Sequence, residues 1–344
     1  MKETLEAAVI GAGHFGRHHA RIYSELPDVR LGAVVDIDSE RAGRVAKATG
    51  ALPSTDYRDL VGRVDLVSVV TPPPTHYQIA RDFLVGGAAV LVEKPMTATV
   101  TEAERLVAVA EEHNAVLQVG FVNRFSPVLR ALSGLDVRPR FIEVHRLCPF
   151  NFRAADVGVV LDMMIHDIDL VTALVPSPVA RVEAVGFGVV APTEDIANAR
   201  ITFEDGCVAN LTASRVAFQT MRRVRIFSPD SYVSLDFDRS RAVLVRRRED
   251  FTAGDIELGI LKETAPEELR ALLFDKHFSL REMDLDDGTE PLKRELQSFI
   301  SCARTGDEPV VSGNAALRTM RTAEQVLNSM GRCDWAGQFV GRSV

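Results

Sequence analysis

The apolar run Leu5 to Ile10 ends on Gly11-Ala-Gly13-His-Phe-Gly16, and Asp36 stands 20 residues after Gly16. Between them, Arg17 to Leu26 reads as a helix and Arg30 to Val35 as a second strand that stops at the acid. Strand, G-x-G-x-x-G, helix, strand and acid in this order are the fingerprint of a dinucleotide-binding βαβ unit. Each part has a task. Gly11 allows the tight turn, Gly13 lets a pyrophosphate approach the backbone, and Gly16 lets helix and strand pack closely. The free N–H groups and positive dipole at the helix N-terminus favour phosphate. Asp36 accepts hydrogen bonds from ribose hydroxyls and repels a 2′-phosphate, which selects NAD over NADP.

The alternation continues through helix-like Arg41 to Thr49, a turn at Asp56 to Leu60 and a strand at Val64 to Val70. The Thr71-Pro-Pro-Pro-Thr-His76 loop comes next, followed by helix Tyr77–Val85, strand Ala88–Val92, helix Thr101–His113 and strand Ala115–Phe121. This order implies a doubly wound parallel sheet, a Rossmann domain over residues 1–122. Ligands on such sheets sit beyond the carboxyl ends of the strands. Gly11, Asp36, Thr71, Glu93-Lys94-Pro95 and Asn123 all follow strand ends and should converge on one crevice.

After Asn123 the pattern becomes one of longer alternating strands: Phe141–Leu147, Val182–Val190, Ala197–Phe203, Cys207–Ser214, Arg223–Phe227, Tyr232–Phe237 and Ala242–Val245. Glu204-Asp205-Gly206 is a hairpin signal between two of them. Residues 123–344 therefore read as an α+β domain built on a largely antiparallel open sheet, with helices at Leu292–Ala303 and after Ser312-Gly-Asn314. The charged segment 246–287 suggests only a helix at Glu267–Phe274. An apolar, uncovered sheet face would be closed by a second subunit, giving a homodimer or homotetramer.

A chain of 344 residues has room for two such cores. A net charge of −8 excludes a global field that would draw nucleic acid or an anionic membrane. Cys148, Cys207, Cys302 and Cys333 have neither metal-like nor disulfide-like spacing, and no apolar run reaches the ~20 residues of a membrane span. The N-terminus lacks a secretory pattern, so the chain reads as cytoplasmic. His14, His18 and His19 have no carboxylate companion in the sequence and are not read as metal ligands.

The second chemical feature is Gly158-Val-Val-Leu-Asp162-Met-Met-Ile-His166-Asp-Ile-Asp169. Its apolar residues cover nearly the whole helical circumference, as in a core helix. Asp162, His166 and Asp169 interrupt it at steps of four and three, which puts them on one face of an α-helix. That stripe is either a self-satisfied structural pair or the wall of a polar cleft, because burying such groups unpaired costs several kcal/mol. Asp167 falls off the stripe, as a solvent-facing or ion-pair residue. Lys94, at the end of a buried strand and before a rigid proline, is either a strand terminator or a positioned cation.

The strings AVIGAGHFGRHHA, VSVVTPPPTHYQIA, LVEKPMTAT, VGFVNRFSP, GVVLDMMIHDIDL and EPLKRELQSFISCARTGDEPVVSG resemble, in order and over nearly the whole chain, the glucose–fructose oxidoreductase / inositol dehydrogenase / rhizopine-catabolism (Gfo/Idh/MocA) family. The resemblance implies an NAD(P)-dependent oxidoreductase of sugars or polyols. Its catalytic lysine falls on Lys94 and its aspartate and histidine on Asp162 and His166. Its cofactor contacts fall on Gly11, Gly13, His14, Phe15, Gly16, Asp36, Thr71, Pro72, His76, Glu93, Lys94, Asn123 and Arg124. Where the family usually has Gly-Gly before the catalytic helix, this chain has Val157-Gly158. The implied chemistry is removal of a hydroxyl proton by His166 while hydride passes to NAD. Lys94 would hydrogen-bond the reacting oxygen, and Asp162 would orient His166 or the substrate.

The stretch RFIEVHRLCPFNFRAADVGVVLDMMIHDID is most similar to the branch acting on nucleotide sugars. That branch implies oxidation of the 3-hydroxyl of UDP-N-acetylglucosamine, with a pathway aminotransferase as partner, in amino-sugar synthesis for lipid A, lipopolysaccharide or O-antigen. Arg146, Arg153, Arg215, Arg222 and Arg223 are the cations such a diphosphate would need, unless they are solvated strand-edge residues. Competing readings are a free-sugar or inositol dehydrogenase, a glycosidase that uses NAD in a transient oxidation, and a non-catalytic NAD-binding sensor. Lys94, Asp162 and His166 together argue against the sensor, which has no need of a proton-transfer set.

Overall fold

The computed structural model describes residues 3–150, 157–248, 268, 277–283, 285 and 288–331. In chain order the elements are β1 (Leu5–Ile10), α1 (Gly16–Glu25), β2 (Val29–Val35), α2 (Ser39–Thr49), β3 (Leu52–Ser54), β4 (Leu66–Val69), α3 (His76–Val85), β5 (Ala89–Glu93), α4 (Val100–Glu112) and β6 (Leu117–Gly120). There follow α5 (Pro127–Arg130), β7 (Phe141–Leu147), a π-turn (Val160–Met164) running into α6 (Ile165–Leu174), β8 (Val179–Phe187), β9 (Ile196–Phe203) and β10 (Val208–Ser214). The last are β11 (Met221–Phe227), β12 (Ser231–Asp236), β13 (Arg241–Arg247), β14 (Phe278–Met283), α7 (Pro291–Thr305) and α8 (Gly313–Met330). Two compact units result. One comprises Met1–Ser126, Ile168–Leu170 and Gly288–Gln325, the other Pro127–Asp167, Val171–Asp287 and Val326–Val344.

The first unit is built on a six-stranded sheet in the order β3-β2-β1-β4-β5-β6, parallel throughout. Its central strands are buried on both faces, as continuous apolar runs such as Leu66-Val67-Ser68-Val69 require. Local signals end the helices where the sequence places them. The Asp38 carboxylate accepts from the Arg41 N–H at 3.0 Å to start α2, and Gly50, at φ +75°, closes it. Thr99 and Glu102 form a reciprocal capping box at the head of α4.

The sequence places α7 and α8 with the second domain, whereas Gly288–Gln325 groups with the first unit. Leu296, Phe299 and Ile300 of α7 pack into one buried cluster with Leu5, Ala7 and Val9 of β1 and Ile22 and Tyr23 of α1. Periodicity shows which face of a helix is apolar. It is silent about which sheet that face meets.

The second unit carries an eight-stranded sheet, β14-β13-β12-β11-β7-β10-β9-β8. Every neighbouring pair is antiparallel except β7 and β10. One face is buried through Ile142, Val144, Ala199, Ile201, Leu211, Val224, Ile226, Val233 and Leu235, and the π-turn packs against β10. The other face alternates polar and partly exposed residues. Strand β14 lies in the charged segment where periodicity gave no strand. Its pattern is nearly all exposed, so no alternation marks it. The expected helix at Glu267–Phe274 falls outside the described residues except at Glu268. No helix among the described residues is long and apolar enough to cross a membrane.

Phe299 is fully buried at the centre of the α7 contact. Phe299→Ala should lower the unfolding free energy by about 3–5 kcal/mol, read as a shift in urea midpoint. A loss below about 1 kcal/mol would mean that α7 contributes little to the first unit.

Candidate functional site: a dinucleotide cleft and a polar helix

The glycines of the fingerprint differ in what surrounds them. Gly11 has φ +102°, and a Cβ there would meet the Val70 carbonyl oxygen at 2.4 Å. A Cβ on Gly16 would stand 1.8 Å from the Gly11 carbonyl oxygen. Both positions are closed by backbone. Around Gly13 there is nothing within 4 Å, the open approach that a pyrophosphate requires. Asp36 is held in place from two sides. Its Oδ2 accepts from the Ala12 N–H at 2.8 Å and its Oδ1 from the Asp38 N–H at 3.0 Å.

A cavity of 730 Å³ opens here, lined by Gly11, Gly13, Asp36, Ile37, Arg41, Tyr57, Thr71, Pro72, Gln78 and Ile79 among others. Its volume suits a nucleotide half of a cofactor. Ile37, 95% exposed immediately after Asp36, offers an apolar surface for a base. Arg41 approaches Asp36 Oδ2 at 3.6 Å. The Gly13 cradle, the acid and the apolar wall together fit NAD. The structure thus gathers Gly11, Gly13, Asp36, Thr71 and Pro72 on this cavity, and adds Ile37, Arg41, Tyr57, Gln78 and Ile79. The latter group carries no signal beyond ordinary helix and loop composition.

The remaining expected cofactor residues lie elsewhere in the first unit. His14 and Phe15 are exposed on the first turn before α1. The His14 ring contacts Arg17 through Nδ1 at 3.0 Å and stacks edge-on against His18 at 5.4 Å. His76 is buried, with ring nitrogens 2.6 Å from the Thr71 carbonyl and 2.9 Å from the Pro95 carbonyl. Burial pulls its pKa below the ordinary imidazole value, so the neutral ring donates to one of the two carbonyls. It thereby straps the Thr71 loop to the Lys94–Pro95 segment, a positioning role. Asn123 lies in a short turn where its carbonyl accepts from the Ser126 N–H at 3.1 Å. Arg124 is committed to Asp169, at 3.5 Å.

Lys94 is half-buried at the carboxyl end of β5, and its N–H donates to Glu93 Oε2 at 3.2 Å. Behind Glu93 stands a buried polar group that sequence reasoning did not assemble. His19 Nε2 lies 3.3 Å from Glu93 Oε1, its Nδ1 is 3.2 Å from Ser68 Oγ, and Ser68 bonds the Tyr23 hydroxyl at 2.9 Å. Gly120 makes room for Glu93, since a Cβ there would meet the Glu93 carboxyl at 2.9 Å. Among the described residues no group of three or more His, Cys, Asp or Glu side chains is placed to hold a metal ion.

Two further acids are buried in the same unit. Asp169 is pushed up to about 6 by burial, against the opposing charges of Arg124 and Arg318. Glu295 is fully buried with neither carboxyl oxygen hydrogen-bonded. Burial, then the charges of Glu93 and Asp169, push its pKa well above the ordinary range. Its position on the apolar face of α7 is visible in sequence only as a charge in the wrong place.

In the second unit, Asp162 sits in the π-turn and His166 in the first turn of α6, both half-buried. The single α-helical face expected for Asp162, His166 and Asp169 is therefore interrupted: a π-turn holds one more residue than an α-turn. Asp169 belongs with the first unit and its arginines. Asp167 is a buried ion-pair residue, gripped by Arg146 at 2.6–3.1 Å. The turn itself is anchored by Glu194, unread in the sequence. Glu194 accepts from the Val159 N–H through its backbone carbonyl at 3.0 Å and from the Val160 N–H through Oε1 at 3.1 Å. A Cβ on Gly158 would lie 2.0 Å from that carboxylate, so a side chain there would push Glu194 off the Val160 N–H.

Residues 5–121 match the model of an oxidoreductase family with an NAD-binding Rossmann fold, and residues 140–230 match its C-terminal domain. The chain is 41% identical over 237 residues to a UDP-N-acetylglucosamine 3-dehydrogenase of Acidithiobacillus ferrooxidans, covering 68% of this chain and 74% of that protein. It belongs to the Gfo/Idh/MocA family. It is also 34% identical over 177 residues to an inositol 2-dehydrogenase of Rubrobacter xylanophilus, covering 48% of this chain and 51% of that one. The solved structure of the enzyme GnnA from A. ferrooxidans superposes with a TM-score of 0.83 at 32% identity, covering 96% and 98% of the two chains. The protein is thus an NAD-dependent oxidoreductase of the Gfo/Idh/MocA family.

The buried acids set a pH signature. A folded-state pKa raised above the unfolded value gives stability that is complete below the unfolded pKa and is lost as pH rises through the folded one. For Asp169 that window runs from 3.8 to about 6. Asp169→Asn should therefore gain stability relative to the parent across this interval, by at most about 3 kcal/mol. Denaturation at pH 4 and pH 7 measures it, and parallel curves would contradict the assignment. Separately, Gly16→Ala should abolish NAD binding measured by calorimetry, because its methyl group occupies the Gly11 carbonyl.

Proposed function

We propose that this protein oxidises a secondary hydroxyl of a nucleotide sugar to a ketone, the 3-hydroxyl of UDP-N-acetylglucosamine being the substrate position. The observation that carries this reading is the likeness to the A. ferrooxidans enzyme across both domains, at 32% identity over 96% of the chain. An inositol 2-dehydrogenase of Rhizobium meliloti matches over 95% of the chain at a lower identity, 24%.

Bound NAD would supply the hydride acceptor. His166 is the general base, taking the hydroxyl proton on an imidazole nitrogen, because imidazole changes charge near neutral pH. Lys94 donates a hydrogen bond to the reacting oxygen and stabilises the negative charge that develops as the proton leaves. Asp162, held in the π-turn that Glu194 anchors, orients the imidazole or a substrate hydroxyl. Asp36 holds the adenosine ribose. Thr71, Pro72 and Gly13 line the path of the pyrophosphate, and His76 positions the Lys94 segment. A 3-keto product is a substrate for an aminotransferase, which places the protein ahead of a transamination step leading to a diamino sugar. We also infer a homodimer through the aromatic group on the otherwise polar second face of the sheet, where Phe227 packs against Phe141 at 5.6 Å and Tyr232 at 5.0 Å. Native mass measurement showing only monomer would oppose it.

The test is NADH formation from NAD with UDP-N-acetylglucosamine, free N-acetylglucosamine and inositols, with a product-draining aminotransferase present. Turnover of the UDP-sugar alone is expected. Turnover of inositol alone would replace the proposal with a polyol dehydrogenase. His166→Ala should lower kcat by roughly 100- to 10,000-fold while NAD affinity stays within about twofold. Equal loss of both would remove His166 from the base role.

A further inference from the structure

Five arginines make the sequence-level case for an anionic substrate, and the structure separates them. Arg146 is clamped by Asp167 at 2.6 Å. Arg215 is buried and satisfied by Asp195 at 2.6 Å, the Val157 carbonyl at 2.6 Å and Thr193 Oγ1 at 3.0 Å. Asp195 is itself locked, since three backbone N–H groups from Val189, Val190 and Ala191 donate to its Oδ2 at 2.6–2.9 Å. Arg223 pairs with Asp236 at 3.0 Å. Arg153 lies outside the described residues.

Arg222 differs from all of these. Its side chain is exposed, and no ion pair engages it among the described residues. Its backbone N–H donates to Asp238 Oδ2 at 2.7 Å. It stands directly opposite Arg146 in the β7–β11 register and alternates with buried Val224 and Ile226, which puts it on the covered face of the sheet. Like charges directly opposed across a sheet are destabilising unless compensated. Asp167 pairs with Arg146, whereas no carboxylate among the described residues forms an ion pair with Arg222. The neighbouring Cys148 thiol feels Arg222, Asp162, Arg146 and Arg215 together, so Arg222 and Asp162 share one electrostatic neighbourhood within the second unit.

The loop that delivers Arg222 also carries Phe218, whose ring is 103% exposed. A bare aromatic three residues before β11 is unexplained by packing. A guanidinium fork suits a phosphate, and an aromatic face suits a base.

We infer that Arg222 pairs with the diphosphate of a nucleotide-sugar substrate and that Phe218 stacks on its base. These two residues would then make the enzyme select a nucleotide sugar over a free sugar. The inference rests on the nucleotide-sugar reading above and adds the residues that recognise the nucleotide.

Both side chains are exposed, so Arg222→Gln and Phe218→Ala should fold as the parent does. The experiment measures UDP binding by calorimetry, with steady-state kinetics on UDP-N-acetylglucosamine. Arg222→Gln should weaken UDP binding and raise KM by about tenfold or more, with kcat falling far less and KM for NAD unchanged. Arg222→Lys should recover part of the affinity, since it restores charge without the fork. Phe218→Ala should weaken UDP binding by about five- to a hundredfold and leave binding of inorganic pyrophosphate as it was. Wild-type protein that binds UDP, with both variants binding it equally well, overturns this inference and leaves the proposed function standing. Wild-type protein that neither binds UDP nor oxidises a UDP-sugar overturns the proposed function, and this inference with it.

Discussion

The carboxyl edge of the first sheet depends on one backbone contact, that of Gly16 against the Gly11 carbonyl. A side chain on Gly16 would sit 1.8 Å from that oxygen, so β1 and α1 can meet at this angle only when the position is bare. From that junction follow the open floor at Gly13, the Ala12 N–H aimed at Asp36 and the location of the cavity. The parallel register of β1 with β2 and β4 then brings Asp36 and Thr71 to the same edge. A turn with side chains at these glycines would leave the strands intact and the cleft filled.

Much of this was legible because it is local. The fingerprint, the strand–helix alternation and the β7 boundaries each depend on a few adjacent residues. What stayed hidden depends on distant pairs. Glu194 is one of several acids in a loop until it is seen to anchor the turn carrying Asp162. Glu295 reads as a polar interruption in an amphipathic helix until burial beside Glu93 and Asp169 shows that its charge is suppressed. His19, which has no carboxylate companion in the sequence, is enclosed between Ser68 and Glu93. Family resemblance supplied Arg124 as a cofactor contact, but in this chain its guanidinium is tied to Asp169. The arginines of the second unit were indistinguishable by sequence, and only their carboxylate partners sort them.

Charge is handled differently in the two units. In the second, among the described residues, buried Asp167 is matched with Arg146 and buried Asp195 with Arg215. Breaking one such pair would strand its partner in a low-dielectric interior. In the first, burial raises the pKa of both Asp169 and Glu295.

The π-turn ahead of His166 has a further consequence. A turn closed by an i→i+5 bond holds one residue beyond what an α-helix would use, so the chain after it is rotated by about 100° relative to an uninterrupted helix. Asp162 lies within that wider turn and His166 just after it. The relation between them is set by chain length as well as by side-chain identity. Deletion of a single residue between Gly158 and Met164 would leave every candidate group present and would still turn the imidazole to a different side of the helix. Relatives that share the motif but differ in length here would align well and be built differently.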